Sequence, residues 1–164
     1  SCSSRKDSLN CFSRSLTLLS IYSSSNISNT AFATTAPKTL PLWVCIQLHE
    51  QGDYKSAIKQ AQSFIKHLPN EIFLWNILGA CFEKTGDLIN AQKSYEQALI
   101  INNQIPEIIF NLGAVKFNLN DSQGALDCYD RAIRIRPDFV EAFFNKGILF
   151  QQLGNFEEAI VNYQ

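Results

Sequence analysis

From residue 38 onward, apolar and polar positions alternate with the period of a helix, in segments that come in pairs. Phe73, Ile77, Leu78, Cys81 and Phe82 fall on one helical face, and Ile89, Ala91, Tyr95, Ala98 and Leu99 fall on another. Thr85-Gly86-Asp87 separates the two runs. Glycine there can take the left-handed backbone that ends a helix, and the aspartate can cap the next one. Each pair of runs therefore predicts two helices joined by a tight turn.

The pair repeats. Gly79, Gly113 and Gly147 stand 34 residues apart, preceded by Leu78, Leu112 and Lys146. Ala57, Ala91, Ala125 and Ala159 keep the same step, as do Tyr95, Tyr129 and Tyr163, and Ala98 and Ala132. Gly52, Gly86 and Gly154 recur at the turn, and Asn120 replaces glycine in the third copy. Asparagine also tolerates the left-handed conformation, so that turn is expected to survive. Pro69 and Pro137 close the first and third copies, where a helix cannot continue, and Asn103 stands there in the second. The small residues set the pairing. Gly79 and Ala91 let two helices approach closely, Ala98 makes room for the next copy, and the tyrosines fill the space between.

The period and pattern resemble the tetratricopeptide repeat (TPR) family over residues 38–164. Its W-x2-L-G-x2-Y motif is nearly complete in Trp75, Leu78, Gly79 and Phe82, followed by Ala91, Tyr95 and Ala98. The third copy carries Leu112, Gly113, Ala125, Tyr129, Ala132 and Pro137, with Lys116 where an aromatic is usual. The fourth carries Phe143, Gly147, Phe150, Ala159 and Tyr163, and the first diverges at Cys45 and Phe64. The resemblance implies an all-α, right-handed solenoid of helix-turn-helix repeats at 38–71, 72–105, 106–139 and 140–164, about three and a half copies. Because such arrays end in polar caps and none follows Gln164, a truncated fragment of a longer protein is expected.

The resemblance also implies a function. The first helices of such repeats line a concave surface that binds an extended or helical peptide. The positions that match are Asn76 in the second copy, Phe110, Asn111 and Phe117 in the third, and Phe144, Asn145 and Gln152 in the fourth. Ala80, Glu83 and Lys84, Glu107, Ala114 and Asn118, and Glu141 and Ile148 share this face, and the first copy adds Leu42, Trp43, Ile46 and His49. Asn111 and Asn145 recur one repeat apart, similar to part of the asparagine ladder in the superhelix of O-linked N-acetylglucosamine transferases. An amide both donates and accepts, so it can bond a peptide backbone whatever its side chains. Phe110, Phe117 and Phe144 would add apolar contact or else belong to the packed interior. Glu107 and Glu141 disfavour the carboxylate clamp by which some family members hold acidic chaperone tails. Two roles stay open: an interaction scaffold for a partner's peptide segment, or the recognition arm of a longer enzyme of glycosyltransferase, sulfotransferase or oxygenase type.

Composition narrows the chemistry. The 164 residues hold 14 Lys plus Arg and 15 Asp plus Glu, a net charge of −1, which gives no basic excess for nucleic acid. Arg131, Arg134 and Arg136 cluster, but Asp127 and Asp130 each lie four residues before an arginine and are expected to pair along the helix. No apolar stretch approaches the length of a membrane span. The five cysteines are an odd number without C-x-x-C spacing, so buried free thiols in a reducing, cytoplasmic setting are expected. Cys45 and His49 share a helix face but lack companions for a metal site. No cofactor motif and no nucleophile–base spacing appears, so residues 38–164 are expected to be non-catalytic.

Residues 1–37 differ, with eleven Ser and four Thr and with Arg5, Lys6 and Arg14 against Asp7. They read as a poorly ordered leader or an organelle transit segment. One consequence of the helix register can be checked directly. Ala91→Leu should overpack the second copy and lower stability by about 1–3 kcal/mol in a urea melt.

Overall fold

The computed structural model describes residues 39–164; the leader at 1–37, and its targeting reading, lie outside the described residues. Eight helices follow one another among the described residues, with no strand. They are α1 (Thr39–Glu50), α2 (Tyr54–Ile65), α3 (Ile72–Thr85), α4 (Leu88–Ile101), α5 (Pro106–Asn118), α6 (Ser122–Ile135), α7 (Val140–Gln152) and α8 (Phe156–Tyr163). Each packs on its neighbours in sequence, and the first helices of adjacent copies also touch, α1 on α3 and α5 on α7. This is the all-α solenoid expected from the 34-residue period. None of these helices is long and apolar enough to cross a membrane.

The turns form as the residue types require. Gly52, Gly86 and Gly154 have φ of 78°, 82° and 79°, and Asn120 keeps the third turn with φ 63°. Asp53, Asp87 and Asp121 then cap α2, α4 and α6, each side chain accepting the backbone N–H three residues on, at 3.1, 3.2 and 2.9 Å. Trp75 ties α3 to the loop before it, donating its indole N–H to the Pro69 carbonyl at 2.7 Å.

Packing inside a copy depends on one close approach. The Tyr95 ring lies across Gly79, where an added Cβ would come within 2.8 Å of ring carbon. The same contact recurs between Gly113 and Tyr129 and between Gly147 and Tyr163. Ala57, Ala91, Ala98, Ala125 and Ala132 are wholly buried at the helix contacts, Ala159 nearly so, and Leu78 and Leu112 complete the interior. Cys45 and Cys81 are buried free thiols, and burial pushes them up to about 11 and about 12.

The charge pairing differs from the expected pattern. Asp130 meets Lys146 of the next copy at 2.6 Å, and Asp127 accepts from Gln123. Arg136 pairs with Glu107 and stacks its guanidinium 3.6 Å above the Phe139 ring, and Arg131 donates to the Asn103 carbonyl. Stacking brings oppositely charged side chains from different helices together, and those contacts replace the spacing-four pairs on α6. A test of the packing follows from the third copy. Gly113→Ala would push a methyl against the Tyr129 ring and the Cys128 Cβ, 2.8 and 2.9 Å away. It should cost ~1–3 kcal/mol of stability in denaturant melts.

Candidate functional site

The first helices α3, α5 and α7 bring the candidate residues to one face, but not all with the same access. Asn111 is 2% exposed, and its amide donates to the Asn76 side-chain oxygen at 3.5 Å. That contact joins α3 to α5 and holds both asparagines in the wall of the face. Asn145 is half-buried on α7, and its amide opposes the burial that raises the Tyr129 phenol. Phe110 does not line the open surface. It is 4% exposed, with its ring 5.8 Å from Tyr129 and 5.1 Å from Phe139, so it belongs to the packed interior. Phe117 is half-buried, Phe144 is 50% exposed with its ring 5.6 Å from Tyr163, and Gln152 is exposed. His49 is also turned inward, 6% exposed and edge-on to Tyr54 at 5.2 Å. Burial, and then the charge of Lys84, hold its imidazole below the usual range, so the neutral form is favoured.

The repeat tyrosines contribute something the sequence pattern did not assign to them. Tyr95 donates to Glu83 at 3.4 Å and Tyr163 meets Gln151 at 3.2 Å, both across 12 residues. The residue 12 before Tyr129 is Phe117, which offers no acceptor. Each tyrosine thus lies across the glycine of its own copy, with Tyr95 and Tyr129 buried there. The 34-residue step of the tyrosines was visible, but the helix whose polar group each would meet was not.

Glu83 is the carboxylate of this face most altered by its surroundings. Burial pushes its carboxyl up to about 7, while the neighbouring Lys84 charge and the Tyr95 hydrogen bond pull it down. Glu107 is occupied by Arg136. The candidate side chains that stay accessible are the half-buried amides of Asn76 and Asn145, the exposed Gln152, and the rings of Phe117 and Phe144.

Such an arrangement defines a helical-repeat protein, whose surface is built by stacking like units. Tetratricopeptide repeats are recognised in it: residues 74–104 match the family model described as tetratricopeptide repeat, and residues 115–154 match the one described as TPR repeat. Protein FlbA of Caulobacter vibrioides is 30% identical over 115 residues, covering 70% of this chain and 19% of that protein. The peroxisomal targeting signal receptor of Saccharomyces cerevisiae is 35% identical over 83 residues, 50% of this chain and 13% of the receptor. The chain thus spans less than a fifth of either relative's length. Among solved structures, MamA superposes with a TM-score of 0.69 at 23% identity over 73% of this chain and 70% of its own. The first TPR of Spaghetti (RPAP3), bound to an HSP90 peptide, gives 0.69 at 19% identity over 71% of this chain and 92% of its own. At these identities the likeness is one of fold.

The raised Glu83 carboxyl has a consequence for stability. Its folded pKa lies above the ordinary 4.5, so the folded protein holds the proton more tightly than the unfolded chain. The stabilisation is complete below about pH 4.5 and fades as pH rises through about 7. Glu83→Gln keeps an acceptor for Tyr95 and removes the titration. It should gain about 1–2 kcal/mol over wild type at high pH, and much less at about pH 5. Urea melts at the two pH values check this, and an equal difference at both would refute it.

Proposed function

We propose that this chain is a protein-interaction module that holds a peptide segment of a partner against the face formed by its first helices. The carrying observation is the set of first-helix side chains that stay accessible, the amides of Asn76, Asn145 and Gln152 and the rings of Phe117 and Phe144. Such amides can bond a peptide backbone, and the rings supply contact area. The step from Asn111 to Asn145 supports a partial asparagine ladder, with Asn145 the more accessible member. The similar RPAP3 domain is bound to a peptide, and the similar yeast protein is a receptor for a targeting signal.

A photo-activated cross-linker in place of Gln152, exposed on α7, should trap the partner in cell extract, whereas one in place of Gln123 on α6 should not. Titration of the trapped segment should then weaken by ~1–3 kcal/mol in the Phe144→Ala, Asn145→Ala double variant, with little change in melting. Unchanged affinity would remove this reading.

A further inference from the structure

A second candidate surface lies away from the first-helix face, and no residue of that face lines it. Between α2, α3 and α4 the structure leaves a notch of about 290 Å³. Its apolar walls are Ile65 from α2 and Trp75, Leu78 and Phe82 from α3; Gln62, Gln97 and Lys93 lie at its rim.

Comparison with the later copies shows why space remains here. One step after Phe82 the third copy has Lys116, which reaches Asp121 at 3.4 Å and lies over Gly124, where an added Cβ would come within 2.8 Å of the ammonium. Two steps after Leu78 the fourth copy has Lys146, which bonds Asp130 at 2.6 Å and sits 5.6 Å from the Phe150 ring centre. Each lysine thus stands at a position that is apolar in the second copy and is held there by an ion pair. The second copy has an apolar side chain at both positions, and its capping Asp87 is held by the Asn90 amide at 2.7 Å. Ser94 turns its hydroxyl back to the Asn90 carbonyl at 2.7 Å and does not fill the gap. The Trp75 indole is fixed by its bond to Pro69, so one wall is already set before anything binds.

We propose that this notch is a second docking site, which takes one aromatic side chain of a partner peptide with an acidic residue beside it. The volume lies at the lower end for ligand pockets, about 300–1,000 Å³, and suits one ring rather than a whole small molecule. Trp75 and Phe82 offer ring faces and edges to it. Lys93 is the only charged side chain among the lining residues, so the complementary neighbour is a carboxylate.

The test uses the full 164-residue chain, labelled with ¹⁵N, and two probes, acetyl-Phe-Glu-Gly-amide and acetyl-Phe-Lys-Gly-amide. The Trp75 indole N–H signal should move saturably, with Trp43 as the reference, and the glutamate peptide should bind about three- to tenfold tighter. The Phe82→Lys, Asn90→Gly double variant installs the Lys116 and Gly124 pair of the third copy, with Asp87 waiting for the lysine, and should abolish the movement. Lys93→Glu alters only an exposed side chain and keeps the test decisive if the double variant does not fold; it should reverse the preference between the two peptides. No saturable movement of Trp75, movement retained in a folded double variant, or a preference unaffected by Lys93→Glu would each overturn the proposal. So would a concentration-dependent dimer that the double variant dissolves, which would assign the notch to a second copy of the chain.

Discussion

The solenoid depends on a tyrosine lying against a glycine in each of its last three copies. With no Cβ on Gly79, Gly113 or Gly147, a ring from the second helix can sit against the backbone of the first, closer than any larger residue would allow. That contact sets the separation of the two helices and their rotation about each other. The buried alanines can then be small, and the following copy can settle against the same surface. It also places the hydroxyls, since Tyr95 and Tyr163 reach Glu83 and Gln151 on the first helix of their own copy.

What each hydroxyl meets there depends on one residue. Glu83 and Gln151 accept from the tyrosine of their own copy, and Phe117 cannot. The third copy therefore has no acceptor at that position of its own first helix. Asn111 is drawn into the wall by Asn76.

Variation on the other side of α3 has a comparable effect. The step that gives Phe82, Lys116 and Phe150, and the step that gives Leu78, Leu112 and Lys146, put an ion-paired lysine in the third and fourth copies where the second has only apolar side chains. Repeats of one fold present different local surfaces because the framework positions are held by packing, while the positions around them are free to change charge. Cooperation between neighbouring copies fixes the backbone; departures from the repeat give each copy its own surface.

The 34-residue period, the turn residues and the glycine and tyrosine positions were enough to determine the eight helices, their pairing and their order, since all of these follow from local conformation and nearest-neighbour packing. Even the exception at Asn120 was readable, because its left-handed turn is a property of that residue's own side chain. Side-chain access was not determined in this way. Phe110 and Phe144 hold the same repeat position, yet Phe110 is packed against Phe139 while half of Phe144 is exposed, since the neighbours that cover a ring come from other helices. Asp130 meets Lys146 rather than Arg134 for the same reason. Periodicity assigns a residue to a face of its own helix, and only the stacked helices decide what stands opposite it.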